Sequence, residues 1–141
     1  MSVYLIGMGS NIEPERHLRA AAGEIRARFP GARFSRVYRS PAVGMEDAAD
    51  FLNACCLLET DMDAATLAAW LKRLEDAHGR DRSRGSWRPR TLDLDILMAD
   101  GEALDDELFR YAHAWVPASE LAPLPPADVD AGALRLVDVT L

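Results

Sequence analysis

Residues 91–98, Thr-Leu-Asp-Leu-Asp-Ile-Leu-Met, alternate polar and apolar side chains with a period of two, a pattern that only an extended strand sorts onto two faces. Leu92, Leu94 and Ile96 then share one face, and Asp93 and Asp95 project together from the other. The remaining segments must supply partners for this strand. Val3 to Met8 reads as a buried strand ended by Gly9-Ser10-Asn11. Pro14 opens a helix with Leu18, Ala21, Ala22, Ile25 and Phe29 at helical spacing, stopped by Pro30-Gly31. Arg33 to Arg39 and Phe51 to Thr60 read as strands joined by a loop, Ser40 to Asp50, with turn residues Pro41 and Gly44. Leu67, Trp70, Leu71 and Leu74 form the apolar stripe of a second helix running from Asp63 to a Gly79 cap. The order β-α-β-β-α-β predicts an α+β, ferredoxin-like sandwich: an antiparallel sheet with helices on one face and the other face free for a site. Past Asp100, the prolines at 117, 123, 125 and 126 predict turns, one short helix and a weak last strand near Leu134 to Val139.

At 141 residues, 49% of them apolar, the chain reads as one domain, residues 1–141, with a core that needs no staple. No apolar run nears the ~20 residues that span a bilayer, so a cytoplasmic protein is expected, with no membrane partner. Cys55 and Cys56 are adjacent in a strand and should point to opposite faces, as packing residues rather than a disulfide or metal pair. A net charge of −7 disfavours nucleic acid as a partner. Yet of sixteen basic residues seven lie between Lys72 and Arg90, which implies a local anion site of limited size.

Asp is a poor strand former, so two at the centre of a well-patterned strand ask for a reason beyond a solvated sheet face. Their Cα atoms should lie about 6–7 Å apart, and like charges that close call for a cation between them. Mg²⁺, held by one or two carboxylates plus substrate phosphates, is the usual solution. Just upstream, Arg80, Arg82, Arg88 and Arg90 offer guanidinium forks to phosphate oxygens. Trp87 can cover a flat ring, unless the stretch is simply a solvated loop. The chain has no Walker A sequence, and Gly7-Met8-Gly9 lacks the third glycine of a dinucleotide fingerprint. His17 reads as a helix-surface residue and His78 as a cation near a helix C-terminus.

Arg90-Thr91-Leu92-Asp93-Leu94-Asp95-Ile96-Leu97, preceded by Trp87 and Pro89, resembles the signature of the 6-hydroxymethyl-7,8-dihydropterin pyrophosphokinases. The resemblance extends through Gly9-Ser10-Asn11, Tyr38-Arg39-Ser40-Pro41 to Gly44, Phe51-Leu52-Asn53-Ala54, Glu75 and Gly79-Arg80 with Arg82, covering residues 3–100. It implies that Asp93 and Asp95 hold two Mg²⁺ ions on the triphosphate of ATP, and that Arg82 and Arg90 bind and stabilise the phosphates. It places Lys72, Glu75, Arg80 and Ile96 around the nucleotide, with Trp87 on a closing loop. Ser40, Pro41, Val43, Phe51 and Asn53 would line the pocket for a reduced pterin, with Asn53 pairing to the amide edge of the ring. The implied reaction is in-line attack of the pterin hydroxymethyl oxygen on the β-phosphorus, with AMP leaving.

After residue 104 the sequence departs from the family pattern. Leu108 to Pro117 is shortened and has no Val-Pro-His-like segment; His113 stands where the family carries a stacking Phe, and Tyr111 where it carries an Arg. His113 can stack on the pterin, take over phosphate binding, or pack as a half-buried core residue. The departure keeps two rivals open: a paralogue with altered pterin preference or weak turnover, and a non-catalytic pterin or nucleotide-binding module. A monomer is expected.

Overall fold

The computed structural model describes residues 1–41, 49–79 and 92–141. The elements are β1 (Ser2–Ser10), α1 (Pro14–Arg28), β2 (Arg33–Phe34), β3 (Val37–Ser40), β4 (Phe51–Thr60), α2 (Ala64–Ala77) and β5 (Asp93–Ala99). They are followed by β6 (Glu102–Ala103), α3 (Glu107–Arg110), α4 (Ala112–Ser119) and β7 (Arg135–Val137). The described strands form one sheet in the order β6-β5-β1-β4-β3-β7, with β2 also on β4. β1 is central and antiparallel to both neighbours, a register that puts Gly7 between Cys55 and Asp95, and Gly9 between Asn53 and Asp93. No helix among the described residues is long and apolar enough to cross a membrane.

One face of the sheet follows the sequence reading. Tyr4, Ile6 and Met8 of β1, with Leu52, Ala54, Cys56 and Leu58 of β4, pack against Leu18, Ala21, Ala22 and Ile25 of α1 and Leu67, Leu71 and Leu74 of α2. Pro14 occupies the first turn of α1, and α2 starts on Asp63, whose side chain accepts a 2.8 Å hydrogen bond from the Thr66 amide. Cys55 and Cys56 do face opposite ways, one in each core. Burial pushes the Cys56 thiol up to about 12, and the Cys55 thiol higher still, so neither is reactive.

The expectation of helices on one face is corrected by the second core. Leu5, Cys55, Leu97 and Met98 make the other face too apolar for water, and Leu108, Ala114 and Ala118 from α3 and α4 cover part of it. Pro117 does not break this segment; it is buried within α4. The alternation also stops short of Met98. Between the pairs Ile6↔Ile96 and Leu5↔Met98, β5 carries one extra residue, Leu97, a bulge that turns Met98 onto the second face, where Leu97 already lies by alternation with Asp93 and Asp95. The single strand read at 33–39 is likewise divided into β2 and β3, because Ser35 Oγ accepts from the Cys55 amide at 2.8 Å while the Ser35 amide donates to the Cys55 carbonyl at 2.9 Å. The weak last strand is present as β7, paired with β3.

α4 is tied to the sheet by one carboxylate. Glu120 Oε1 accepts from the Arg36 amide at 2.9 Å, and Oε2 accepts from Arg36 Nε at 3.3 Å and from the Tyr38 hydroxyl. Removing the acceptor strands the hydroxyl of a buried tyrosine. Glu120→Ala is therefore expected to cost about 1–3 kcal/mol in urea unfolding with an unchanged m-value, and Glu120→Gln to recover most of it.

His17 is not a surface residue. It is 9% exposed, and its Nδ1 lies 2.7 Å from His78 Nδ1, while His78 Nε2 meets Glu24 at 3.3 Å. One Nδ1 must donate and the other accept, so the pair cannot be doubly protonated there. Burial first, then His78 and Arg16, lower the His17 pKa. The pair stabilises the junction of α1 with the end of α2 above the ordinary histidine range, and that contribution is lost as pH falls through the depressed value.

Candidate active site

The second face stays open beyond the reach of α4, where β1 has no side chains. A Cβ on Gly7 would lie 3.1 Å from Leu97 Cδ1, so the bulged leucine already fills the space above it. A Cβ on Gly9 would lie 3.6 Å from both Asn53 Oδ1 and Phe51 Cδ1, and that space belongs to a cavity. The cavity measures about 250 Å³ and has Gly7 and Gly9 as its floor, Asp93 and Asp95 on one side, and Phe51 and Asn53 on the other. Ser40 and Pro41 close one end, and Glu107, Tyr111, His113 and Ala114 form the wall given by α3 and α4.

The two sides differ in chemistry. Asn53 is buried, and its Nδ2 donates to Ser40 Oγ at 2.8 Å and to the Tyr38 carbonyl at 3.3 Å. Because a backbone carbonyl only accepts, the amide nitrogen must face β3, which leaves Oδ1 beside Gly9 as an acceptor for a ligand N–H. Across β1 are the carboxylates. β5 has no strand partner on its outer edge at Leu94 among the described residues; instead the Leu94 amide donates to the buried Glu75 Oε2 at 2.7 Å. This bond fixes the pleat between Asp93 and Asp95 from behind.

Asp95 sits in a concave rim where its side chain still reaches solvent but protein atoms thin its hydration. That loss, followed by repulsion from Asp93, Glu107, Glu75 and Asp105, raises its pKa to about 7. An oxygen-only donor pair under like-charge repulsion fits a hard divalent cation. No three His, Cys, Asp or Glu side chains among the described residues could hold a metal by themselves, so the other ligands would come from water or substrate oxygens.

Of the residues singled out from the sequence, Ser40, Pro41, Phe51, Asn53, Asp93, Asp95 and His113 line this one cavity. Glu75 lies behind β5 on the opposite face, Ile96 is half-buried against the first core, and Lys72 is exposed on α2. Val43, Arg80, Arg82, Trp87 and Arg90 lie outside the described residues. The sequence reading missed Gly7 and Gly9 as the floor, although glycines two apart in a strand must open the same face. It also missed Glu107, for which no local pattern gave a signal.

The sequence profile of the 7,8-dihydro-6-hydroxymethylpterin-pyrophosphokinase family matches residues 5–124. The 2-amino-4-hydroxy-6-hydroxymethyldihydropteridine pyrophosphokinase of Methylorubrum extorquens is 34% identical over 134 residues, covering 87% of this chain and 84% of the relative. The enzyme of the same name from Pseudomonas aeruginosa is 34% identical over 136 residues, 94% of this chain and 83% of the relative. That from Haemophilus influenzae is 35% identical over 117 residues, 80% and 72% respectively. With the Asp93–Asp95 strand, the cavity and these matches in agreement, the chain belongs to the 7,8-dihydro-6-hydroxymethylpterin pyrophosphokinase family of enzymes.

Proposed function

We propose that this enzyme transfers pyrophosphate from ATP to 6-hydroxymethyl-7,8-dihydropterin in folate biosynthesis, releasing AMP. One observation carries the reading: Asn53 and Phe51 stand across Gly9 from Asp93 and Asp95 in a single cavity. Two strand spacings separate Asn53 from Asp93, about 10 Å between Cα atoms, which matches a bicyclic ring with its hydroxymethyl arm. The ring would rest between Phe51 and His113 with an N–H on Asn53 Oδ1, flanked by Ser40, Pro41 and Val43, its arm pointing at the carboxylates.

Asp93 and Asp95 would hold two Mg²⁺ ions against the triphosphate, and Glu75 would act from behind by holding the strand between them. Bound magnesium supplies neutralisation of the charge that spreads over the phosphate oxygens in the transition state. Arg82 and Arg90 would bind the phosphates, with Arg80, Lys72, Ile96 and Trp87 at the nucleotide end. The protein's part is to hold the hydroxymethyl oxygen in line with the β-phosphorus, so no nucleophilic side chain is required. The strand order β5-β1-β4-β3, with a helix after the first and third of the strands read from the sequence, supports a ferredoxin-like assignment. Residues 1–141 would act as one cytoplasmic, monomeric domain.

The reading is tested by AMP release from ATP and Mg²⁺ with and without 6-hydroxymethyl-7,8-dihydropterin. AMP is expected to appear in step with pterin consumed. AMP at the same background rate in both reactions would overturn the proposal and favour a binding module.

A further inference from the structure

His113 has one nitrogen and one ring face already committed. Its Nε2 is 2.9 Å from Glu107 Oε1, and its ring lies at 13° to that of Tyr111 with centroids 5.2 Å apart. An ionised carboxylate only accepts, so this bond requires the proton on Nε2. What the ring has left for a ligand is then its Nδ1 edge and its other face. Glu107 is itself held in place: its amide donates to Asp105 Oδ1 at 2.9 Å, its carbonyl accepts from the Tyr111 amide at 3.1 Å, and the next residue, Leu108, is fully buried. The chain of restraint runs from the second core through α3 to the wall of the cavity. A phenylalanine at position 113 would need no such partner, whereas an imidazole has two distinct edges and must be told which to present.

We infer that Glu107 is a positioning residue for the pterin end of the site, fixing the tautomer and plane of His113 so that ring binding does not have to order it. The inference rests on the pterin reading above and names the residue pair that tunes it in this chain. A ring already clamped saves the ordering cost of one side chain on binding, which corresponds to about a tenfold gain in affinity at most.

Binding of 6-hydroxymethyl-7,8-dihydropterin can be measured by calorimetry with Mg²⁺ and α,β-methylene-ATP, whose uncleavable link stops turnover. Glu107→Ala is expected to weaken binding about tenfold, and Glu107→Gln, whose carbonyl still accepts from Nε2, to stay within about twofold of wild type. Glu107→Asp keeps the charge but withdraws the acceptor, and is expected to show the Ala loss even if the Ala variant does not fold. With Mg²⁺ saturating at pH 8, where repulsion of Asp95 by Glu107 no longer limits metal binding, the same Glu107 changes are expected to lose most of their effect in a His113→Phe background. ¹⁵N spectra of His113 should report protonated Nε2 in wild type and Glu107→Gln, and a mixture of tautomers in Glu107→Asp. Unchanged affinity in the Ala and Asp variants, a Gln variant as weak as Asp, or a loss that persists beside His113→Phe would overturn the inference while leaving the pterin reading in place. A wild-type protein that binds no pterin would instead overturn the reading.

Discussion

Asp95→Asn is expected to lower pterin-dependent AMP formation at least about a thousandfold and, in the same protein without metal, to raise the melting temperature at pH 8. Both effects have one cause. In the free protein Asp95 is poorly hydrated and crowded by Asp93 and Glu107, so its pKa rises from 3.8 to about 7. A carboxylate with a raised folded pKa contributes stability that is full below its unfolded value and is lost as pH rises through the folded one. Above pH 7 the folded protein therefore carries an ionised group that it destabilises, and Asn, neutral at every pH, relieves it. Since the side chain still reaches solvent, the gain is discounted to about 1–2 kcal/mol, or roughly 3–6 °C. Melts in chelator at pH 8 and pH 4.5 check this, with the difference expected to shrink at the lower pH. A less stable Asn variant at pH 8 would mean that Asp95 has a favourable partner in the free protein. If Asp95 holds Mg²⁺ as proposed, its affinity is expected to fall by up to about tenfold per unit below pH 7, because the ligand must first lose its proton.

The strand that carries Asp93 and Asp95 was legible because its signal is local. Period-two alternation over Thr91 to Ile96 needs no knowledge of neighbours to say that Asp93 and Asp95 share a face, and the same rule separated Cys55 from Cys56. What the alternation could not report was the bulge, since Leu97 and Met98 continue an apolar run whether or not one of them swings across the sheet. α3 and α4 were invisible as a cover for another reason. Their place is decided by burial of Leu108, Ala114 and Ala118 on Leu5, Cys55, Leu97 and Met98, a face assembled from three strands distant in sequence. The pairing of His17 with His78 spans 61 positions, so no local pattern around His17 signals that it is buried. Gly7 and Gly9 carry a readable signal: too few glycines for a dinucleotide fingerprint, they lie two apart in a strand and so describe a strip without side chains along one of its faces.

That strip leads to the second large effect. Gly9→Ala is expected to raise the KM for the pterin about a hundredfold while moving the melting temperature by no more than about 2 °C. The added Cβ makes only ordinary contacts, 3.6 Å to Asn53 Oδ1 and Phe51 Cδ1, so folding tolerates it. It stands, however, where a ring must lie to reach Asn53. Shifting that ring by an ångström or more leaves a buried acceptor unpaired, which costs about 1–3 kcal/mol and accounts for the loss at its upper end. Gly7→Ala is the contrasting case: its Cβ would press on Leu97 at 3.1 Å, so the expected penalty is in stability, about 1 kcal/mol or more, with less change in KM. Steady-state kinetics and melts of the two variants separate the roles. If Gly9→Ala kept wild-type KM, the ring would not bind over Gly9, and the pterin end of the cavity would have to be sought on the far side of His113.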